Sequence, residues 1–172
     1  MFTIIVAIDK NNGIGKNNQL AWNLSADLKH FAQTTKKCSE GNINAIIMGR
    51  NTWLSLPIKP LPQRLNIVLS DTPVNDLPNG VVLANSLDNA LELAKNCEKI
   101  FVIGGASVYK QAIIHPDCEY LEITELDNIY DCDTFFPIIP EHFKKVFSSE
   151  TYSENDINFR FCLYQSFADL MN

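Results

Sequence analysis

Short runs rich in isoleucine and valine, bounded by glycine, proline or polar residues, constrain this 172-residue chain more than any other feature. They cover Phe2 to Ile8, Ala45 to Met48, Leu65 to Leu69, Val81 to Ala84 and Ile100 to Ile103. Apolar runs this short and without polar alternation read as strands buried on both faces, and such strands belong to parallel sheets flanked by helices. The stretches between them supply the helices: Ala26 to Lys37, a shorter one opening near Asn51, Leu87 to Cys97 behind Ser86 as N-cap, and Ser107 to Ile114 ended by Pro116. The order is that of an α/β fold with a largely parallel sheet. Beyond Pro116 the pattern changes. Tyr120 to Leu126, Lys144 to Glu154 and Asn158 to Phe167 alternate or carry aromatics with no helix between them. Asn155-Asp156 supplies a turn, so the chain is expected to close with an antiparallel hairpin. Pro57-Ile58-Lys59-Pro60-Leu61-Pro62 reads as a stiff extended wall.

A chain that is 46% hydrophobic at this length fits one globular domain, expected over residues 1–172. The net charge is −6 and the 14 Lys and Arg are scattered, which argues against nucleic acid as a partner. The apolar amino-terminal run has no basic residue before it and stops at Asp9-Lys10, so it reads as a strand and gives no reason to expect membrane attachment. Five widely spaced cysteines without a C-x-x-C pair argue against a disulfide framework and against a metal site, and place the chain in a reducing cytoplasm, by default as a monomer.

Two constellations carry chemistry. Leu20-Ala21-Trp22-Asn23-Leu24-Ser25-Ala26-Asp27 leads into a helix on which Asp27, Leu28 and Phe31 share one face at the spacing of a helical turn. A lone carboxylate on an apolar wall can take two parallel N–H donors from a flat, weakly basic heterocycle whose ring packs on Phe31. The plainer alternative is an acid in a first helical turn behind Ser25 as N-cap, stabilised by the helix dipole. The second constellation is a set of strand ends suited to anions: Gly49-Arg50-Asn51-Thr52, Gly104-Gly105-Ala106-Ser107 and Ser70 after Leu69. Together they suggest a dinucleotide at the carboxyl edge of the sheet. The usual Rossmann fingerprint is absent, because Asn18 stands where Gly13-Ile14-Gly15-Lys16-Asn17 would need a third glycine.

In order along the chain, Ile14-Gly15, Trp22-Asn23-Leu24, Ala26-Asp27-Leu28, Phe31, Met48-Gly49-Arg50, Thr52-Trp53, Pro60-Leu61-Pro62, Arg64, Asn66 to Ser70, Val102 to Gly105, Val108-Tyr109, Thr124 and Asp133 to Pro137 match a known pattern. On these residues the chain resembles a bacterial-type dihydrofolate reductase over nearly its whole length. The resemblance implies reduction of 7,8-dihydrofolate to tetrahydrofolate by NADPH, for one-carbon metabolism. It also implies a single-domain α/β fold with an eight-stranded, mainly parallel sheet and four flanking helices. Dihydrofolate and antifolate-like inhibitors are the implied partners.

The same resemblance distributes roles. Asp27 is implied as the acid that holds the pterin, joined through hydrogen bonds to Thr124, with Leu20, Trp22 and Tyr109 around the reacting rings. Val6, Ala7, Leu28, Phe31, Leu56, Leu61 and Ile103 are implied to line the substrate, and Arg64 to take its α-carboxylate. Residues from Asn12 to Leu24 correspond to a mobile loop that closes over the nicotinamide. Implied cofactor contacts are Ala7, Gly13, Ile14, Gly15, Asn18, Gln19, Leu20, Gly49, Arg50, Asn51, Thr52, Leu69, Ser70, Asp71, Ile103, Gly104, Gly105, Ala106, Ser107, Val108 and Gln111. A cis peptide is expected between Gly104 and Gly105. Ala21 and Ser25 stand where many relatives have proline, and Asn51 and Ser107 where many have a basic or imidazole group. A pterin- or pyrimidine-directed reductase of the same fold, which would not require Asp27 with Phe31 and Arg64, and a non-catalytic folate-binding protein, which could keep the pocket while losing the closing loop and against which the intact acid and all three phosphate ends speak, are the competing readings.

Overall fold

Strand β3 (Asn44–Gly49) is the centre of the molecule, and from Asn44 to Met48 no residue reaches solvent. Its alternate side chains feed two cores, because successive residues of a strand point to opposite faces. Ala45 and Ile47 join the core that includes Ile4, Val102 and Ala112, whereas Ile46 and Met48 pack with Ile5, Trp53, Val68 and Phe101. In the computed structural model, which describes residues 1–167, the strands around it are β1 (Phe2–Ile8), β4 (Arg64–Leu69), β5 (Val81–Ala84), β6 (Ile100–Val102) and β7 (Cys118–Leu126). Order across this part of the sheet is β7-β1-β6-β3-β4-β5, all parallel. Helices α1 (Ser25–Lys36), α2 (Arg50–Ser55), α3 (Leu87–Leu93) and α4 (Ala106–Ala112) complete the α/β pattern.

The sheet continues antiparallel through β11 (Ile157–Ser166), which pairs with β7 and on its other side with β9 (Phe143–Ser148) and β10 (Tyr152–Glu154). Sequence alone reads Lys144 to Glu154 as one strand. It is broken because the Ser149 hydroxyl accepts the Phe161 N–H at 3.0 Å, a place otherwise taken by a carbonyl of the ladder. Counting β9 and β10 as one interrupted edge gives the expected eight strands. Asn155 and Asp156 both have positive φ, 51° and 61°, as a two-residue hairpin turn matched to strand twist requires. A second small ladder, β2 (Gly13–Gly15) with β8 (Thr134–Phe135), is not evident from the sequence.

Other departures are local. Ser25 is the first residue of α1 and not its cap; Leu24 occupies the cap position without a side-chain bond. Ser86 does cap α3, its hydroxyl accepting Asn89 N–H at 3.1 Å, but that helix ends at Leu93 instead of running to Cys97. The proline-rich wall contains a cis Lys59–Pro60 bond. The last five residues of the expected domain lie outside the described part.

Asn44 shows how the layers are joined. Its Nδ2 donates to the carbonyls of Thr35 at 3.0 Å and Lys37 at 3.1 Å, and its Oδ1 accepts Lys99 N–H at 3.1 Å. One buried amide thus closes the end of α1 and aligns β3 with the approach to β6. Asn44→Ala leaves these groups unpaired and is expected to cost about 2 to 4 kcal/mol. Urea unfolding should show a lower midpoint with an unchanged slope.

Candidate active site

Asp27 leaves the first turn of α1 and meets the middle of the sheet. Thr124 of β7, 4% exposed, donates its hydroxyl to Asp27 Oδ1 at 2.6 Å. The burial of the carboxylate pushes its pKa up; the Thr124 hydrogen bond and the nearby His30 oppose this without cancelling it. His30 itself lies 3.5 Å from Glu122 and stacks on Phe161. Asp27 therefore holds a proton to higher pH than an ordinary carboxylate, and among the described residues it makes no ion pair.

Beside it, Phe31, Leu56, Leu61 and Ile103 pack as a half-buried layer on Ile5, Ile46, Met48 and Trp53. Val6 is buried in β1 and Ala7 half-buried beside it. Leu28 is 52% exposed, so it forms a rim and not part of the packed wall. Arg64 is buried at the start of β4, where Nε donates to Pro62 O at 3.0 Å and Nη1 to Thr35 Oγ1 at 2.7 Å. Its guanidinium lies 5.8 Å from the Phe31 ring centre. The fork is locked on one side, and its remaining donors are what a carboxylate could take.

At the carboxyl edge, the turns after β3 and β6 are tied together by Gly49 N–H donating to Gly104 O at 2.7 Å. The Gly104–Gly105 peptide is cis, as expected. A side chain at position 49 would crowd this junction, since its Cβ would sit 3.1 Å from Val108 Cγ2 and 3.8 Å from Gly104 O. Neither α2 nor α4 carries a side-chain cap, so the first amides of both helices face outward beside exposed Arg50, Asn51 and Ser107, with Thr52 and Ala106 half-buried between them. This uncapped cradle fits an elongated anion of the kind a nicotinamide dinucleotide presents. Two of the expected contacts are turned elsewhere: Ser70 Oγ donates to Thr72 O at 2.6 Å, and Gln111 Nε2 to Ser107 O at 3.2 Å. Leu69 is half-buried and Asp71 exposed at the same strand end.

The loop between β1 and α1 is held from below. Asp9, 2% exposed, accepts N–H groups from Asn11 and Gly13 on one oxygen and from Tyr130 on the other, all at 2.7 to 2.8 Å. Asp133 accepts Asn17 N–H at 2.9 Å and donates its own N–H to Gly15 O at 3.1 Å. Lys16 pairs with Asp131. Within the loop Ile14 is half-buried, Asn18, Gln19 and Leu20 are exposed, and Trp22 packs on Tyr130 with a buried Nε1–H that has no acceptor in the protein. The Tyr109 hydroxyl donates to Ile5 O at 2.9 Å and is fully buried, which pushes its pKa far up. Tyr109 thus supports the wall and does not titrate. Sequence reading gave neither Asp9 nor Asp133 a role; for Asp9 the available signal was a carboxylate placed shortly before a glycine turn, where it can bond amides two residues on, whereas Asp133 serves an amide 116 positions away and has no local signal.

All five cysteines are free thiols, and no helix among the described residues is long and apolar enough to cross a membrane. The family model described as dihydrofolate reductase matches residues 1–166. A Drosophila melanogaster protein named dihydrofolate reductase is 43% identical over 152 residues, 84% of this chain and 84% of its own length. An Aedes albopictus protein of the same name is 36% identical over 179 residues, covering 95% of this chain and 96% of that protein. A bifunctional dihydrofolate reductase-thymidylate synthase of Daucus carota is 40% identical over 175 residues, 95% of this chain but only 33% of the longer protein. With a family match that spans nearly every described residue, the chain belongs to the dihydrofolate reductase family.

Proposed function

We propose that the chain reduces 7,8-dihydrofolate to tetrahydrofolate with NADPH, acting as a single domain. The observation that carries this is Asp27: a buried acid bonded to Thr124, beside a Phe31 and Arg64 wall and across from an uncapped anion cradle. Its carboxylate takes the paired N–H donors on the pyrimidine edge of the pterin, Phe31 and its neighbours cover the ring, and Arg64 takes the tail carboxylate. NADPH, when bound, supplies the hydride. The chain's residues orient the substrate, exclude bulk water under the Asn12 to Leu24 loop, and deliver a proton to N5 through a water ordered on the Asp27 side. Trp22 Nε1–H, buried and without an acceptor in the protein, is satisfied by a water or substrate oxygen in that pocket.

Asp27→Asn tests the reading. Single-turnover hydride transfer should fall about 10² to 10⁴-fold near pH 7 and recover as pH falls, while NADPH affinity holds. A variant as fast as the parent from pH 5 to 8 would refute it. Stability should move the other way. A carboxyl whose pKa is raised by folding favours the native state below its unfolded pKa and opposes it as pH rises through the folded value. Asp27→Asn should therefore be more stable than the parent at pH 7, with the difference fading toward pH 4, as thermal melts at both pH values can show.

With Ser70 turned into its own loop, selectivity for NADPH rests on Arg50. Arg50→Leu should weaken NADPH binding by about 10- to 150-fold and leave NADH nearly unchanged in titrations of both cofactors. Equal weakening would remove Arg50 as the reader of the extra phosphate.

Gly15 probes the loop. A Cβ there would lie 2.5 Å from Gln19 O, a backbone atom of the same turn. Gly15→Ala is expected to displace the loop and slow hydride transfer by about tenfold or more, with little change in the urea midpoint.

A further inference from the structure

The start of α1 is held from the far end of the chain. A helix leaves its first amides without intrahelical acceptors, and Leu24 at the cap position has no side-chain oxygen to offer. The acceptors come from Glu154, the last residue of β10. Its Oε1 takes the Ser25 N–H at 2.8 Å and the Ser25 hydroxyl at 2.5 Å, and its Oε2 takes the Ala26 N–H at 2.9 Å. These bonds hold the Glu154 carboxyl below its ordinary range, so the clamp is ionised at neutral pH. The next residue, Asn155, donates from Nδ2 to Asn23 O at 3.3 Å. The hairpin that carries both is itself seated on the helix, because His30 of α1 stacks on Phe161 at 4.0 Å and Tyr152 lies 5.6 Å from the same ring.

We propose that Glu154 is a positioning residue for the reduction: its carboxylate fixes the first turn of α1 and thereby the place of the Asp27 carboxylate against Thr124 and the pterin. The inference rests on the function proposed above. Asp27 directly follows Ala26, so any slackening of the clamp moves the acid before it moves anything else in the site. Two of the three donors belong to Ser25. A proline at that position, which the family resemblance gives to many relatives, has neither an N–H nor a hydroxyl. Here the cap is built from a serine and a distant carboxylate, and the hairpin becomes part of the substrate site without touching substrate. The anion cradle is built from α2, α4 and the parallel strand ends, and does not involve this clamp.

The full-length protein tests this by single-turnover hydride transfer, with KM for dihydrofolate and Kd for NADPH measured beside it. Glu154→Ala should slow hydride transfer by about tenfold and raise KM for dihydrofolate, the scale expected from a small misplacement of a reacting group. The NADPH Kd should not change. Glu154→Gln, which keeps one acceptor oxygen, should restore part of the rate. In an Asp27→Asn background the Glu154→Ala change should add no further loss, since its effect runs through the acid. Should Glu154→Ala fail to fold, Ser25→Ala, which removes only the hydroxyl bond, should still give a two- to threefold loss that disappears with Asp27→Asn, about the size of one modest hydrogen bond. Parental rates in Glu154→Ala, a loss of equal size in the Asp27→Asn background, or NADPH binding that weakens in parallel would each overturn the proposal. A parent unable to oxidise NADPH with dihydrofolate would instead overturn the functional reading beneath it.

Discussion

Complete burial of β3 on both faces is the constraint from which the rest of the molecule follows. A strand with no solvent-facing side cannot alternate polar and apolar residues, and it needs helices above and below. Parallel neighbours then end on the same edge, which brings Gly49, Leu69 and Gly104 together. Gly49 is the ladder partner of Leu69, and its N–H donates to Gly104 O, so it joins all three ends. An uncapped cradle is the residue of this arrangement: two short helices begin where two strands stop, and no side chain closes either start.

Buried polar groups divide the structure by purpose. Asn44 and Asp9 are as deeply buried as the apolar core, and each makes three hydrogen bonds to backbone groups, so each fixes a segment in place. Asp27 receives one short bond from Thr124 and keeps capacity to spare; Arg64 is held by two bonds on one edge; the Trp22 N–H has no partner in the protein. Unfilled hydrogen-bonding capacity in a dry place costs stability. Among the described residues it occurs at Asp27, Arg64 and Trp22, as expected where a ligand completes the network, and also at the buried Nε of Arg160 in β11.

Much of this was legible in the sequence, for reasons that differ by element. The parallel strands and most helices follow from apolar runs and their spacing, and the Asn155-Asp156 turn from the preference of those residues for positive φ. Asp27 stands out because its neighbours along the helix face are apolar. What the sequence concealed depends on contacts distant in the chain. Ser25 reads locally as a cap, yet its hydroxyl serves Glu154, 129 positions away. Asp9 reads as the end of a strand, yet it anchors Tyr130 across 121 positions. Ser70 points to a phosphate only until Thr72 takes its hydroxyl. Side chains that serve backbone amides leave no periodic trace, and a motif cannot show which of two acceptors a hydroxyl prefers.

The two halves of the sheet consequently do different work. The parallel half presents strand ends and helix starts, features that recognise a charged, extended ligand through backbone and need few specific side chains. Thr124 comes from β7, the strand where the two halves meet, and the loops and hairpin on the antiparallel side hold the pieces around it: the segment from Tyr130 to Phe135 pins the closing loop through Asp9, Gly15 and Asn17, and the β10–β11 turn pins the start of α1. In the chain between β1 and β3, the closing loop and the start of α1 are held from the antiparallel side, whereas the end of α1 is held by Asn44 and Arg64 of the parallel strands. The hydrogen bonds that pin the acid and the loop share no residue with the Gly49 to Gly104 link of the anion cradle.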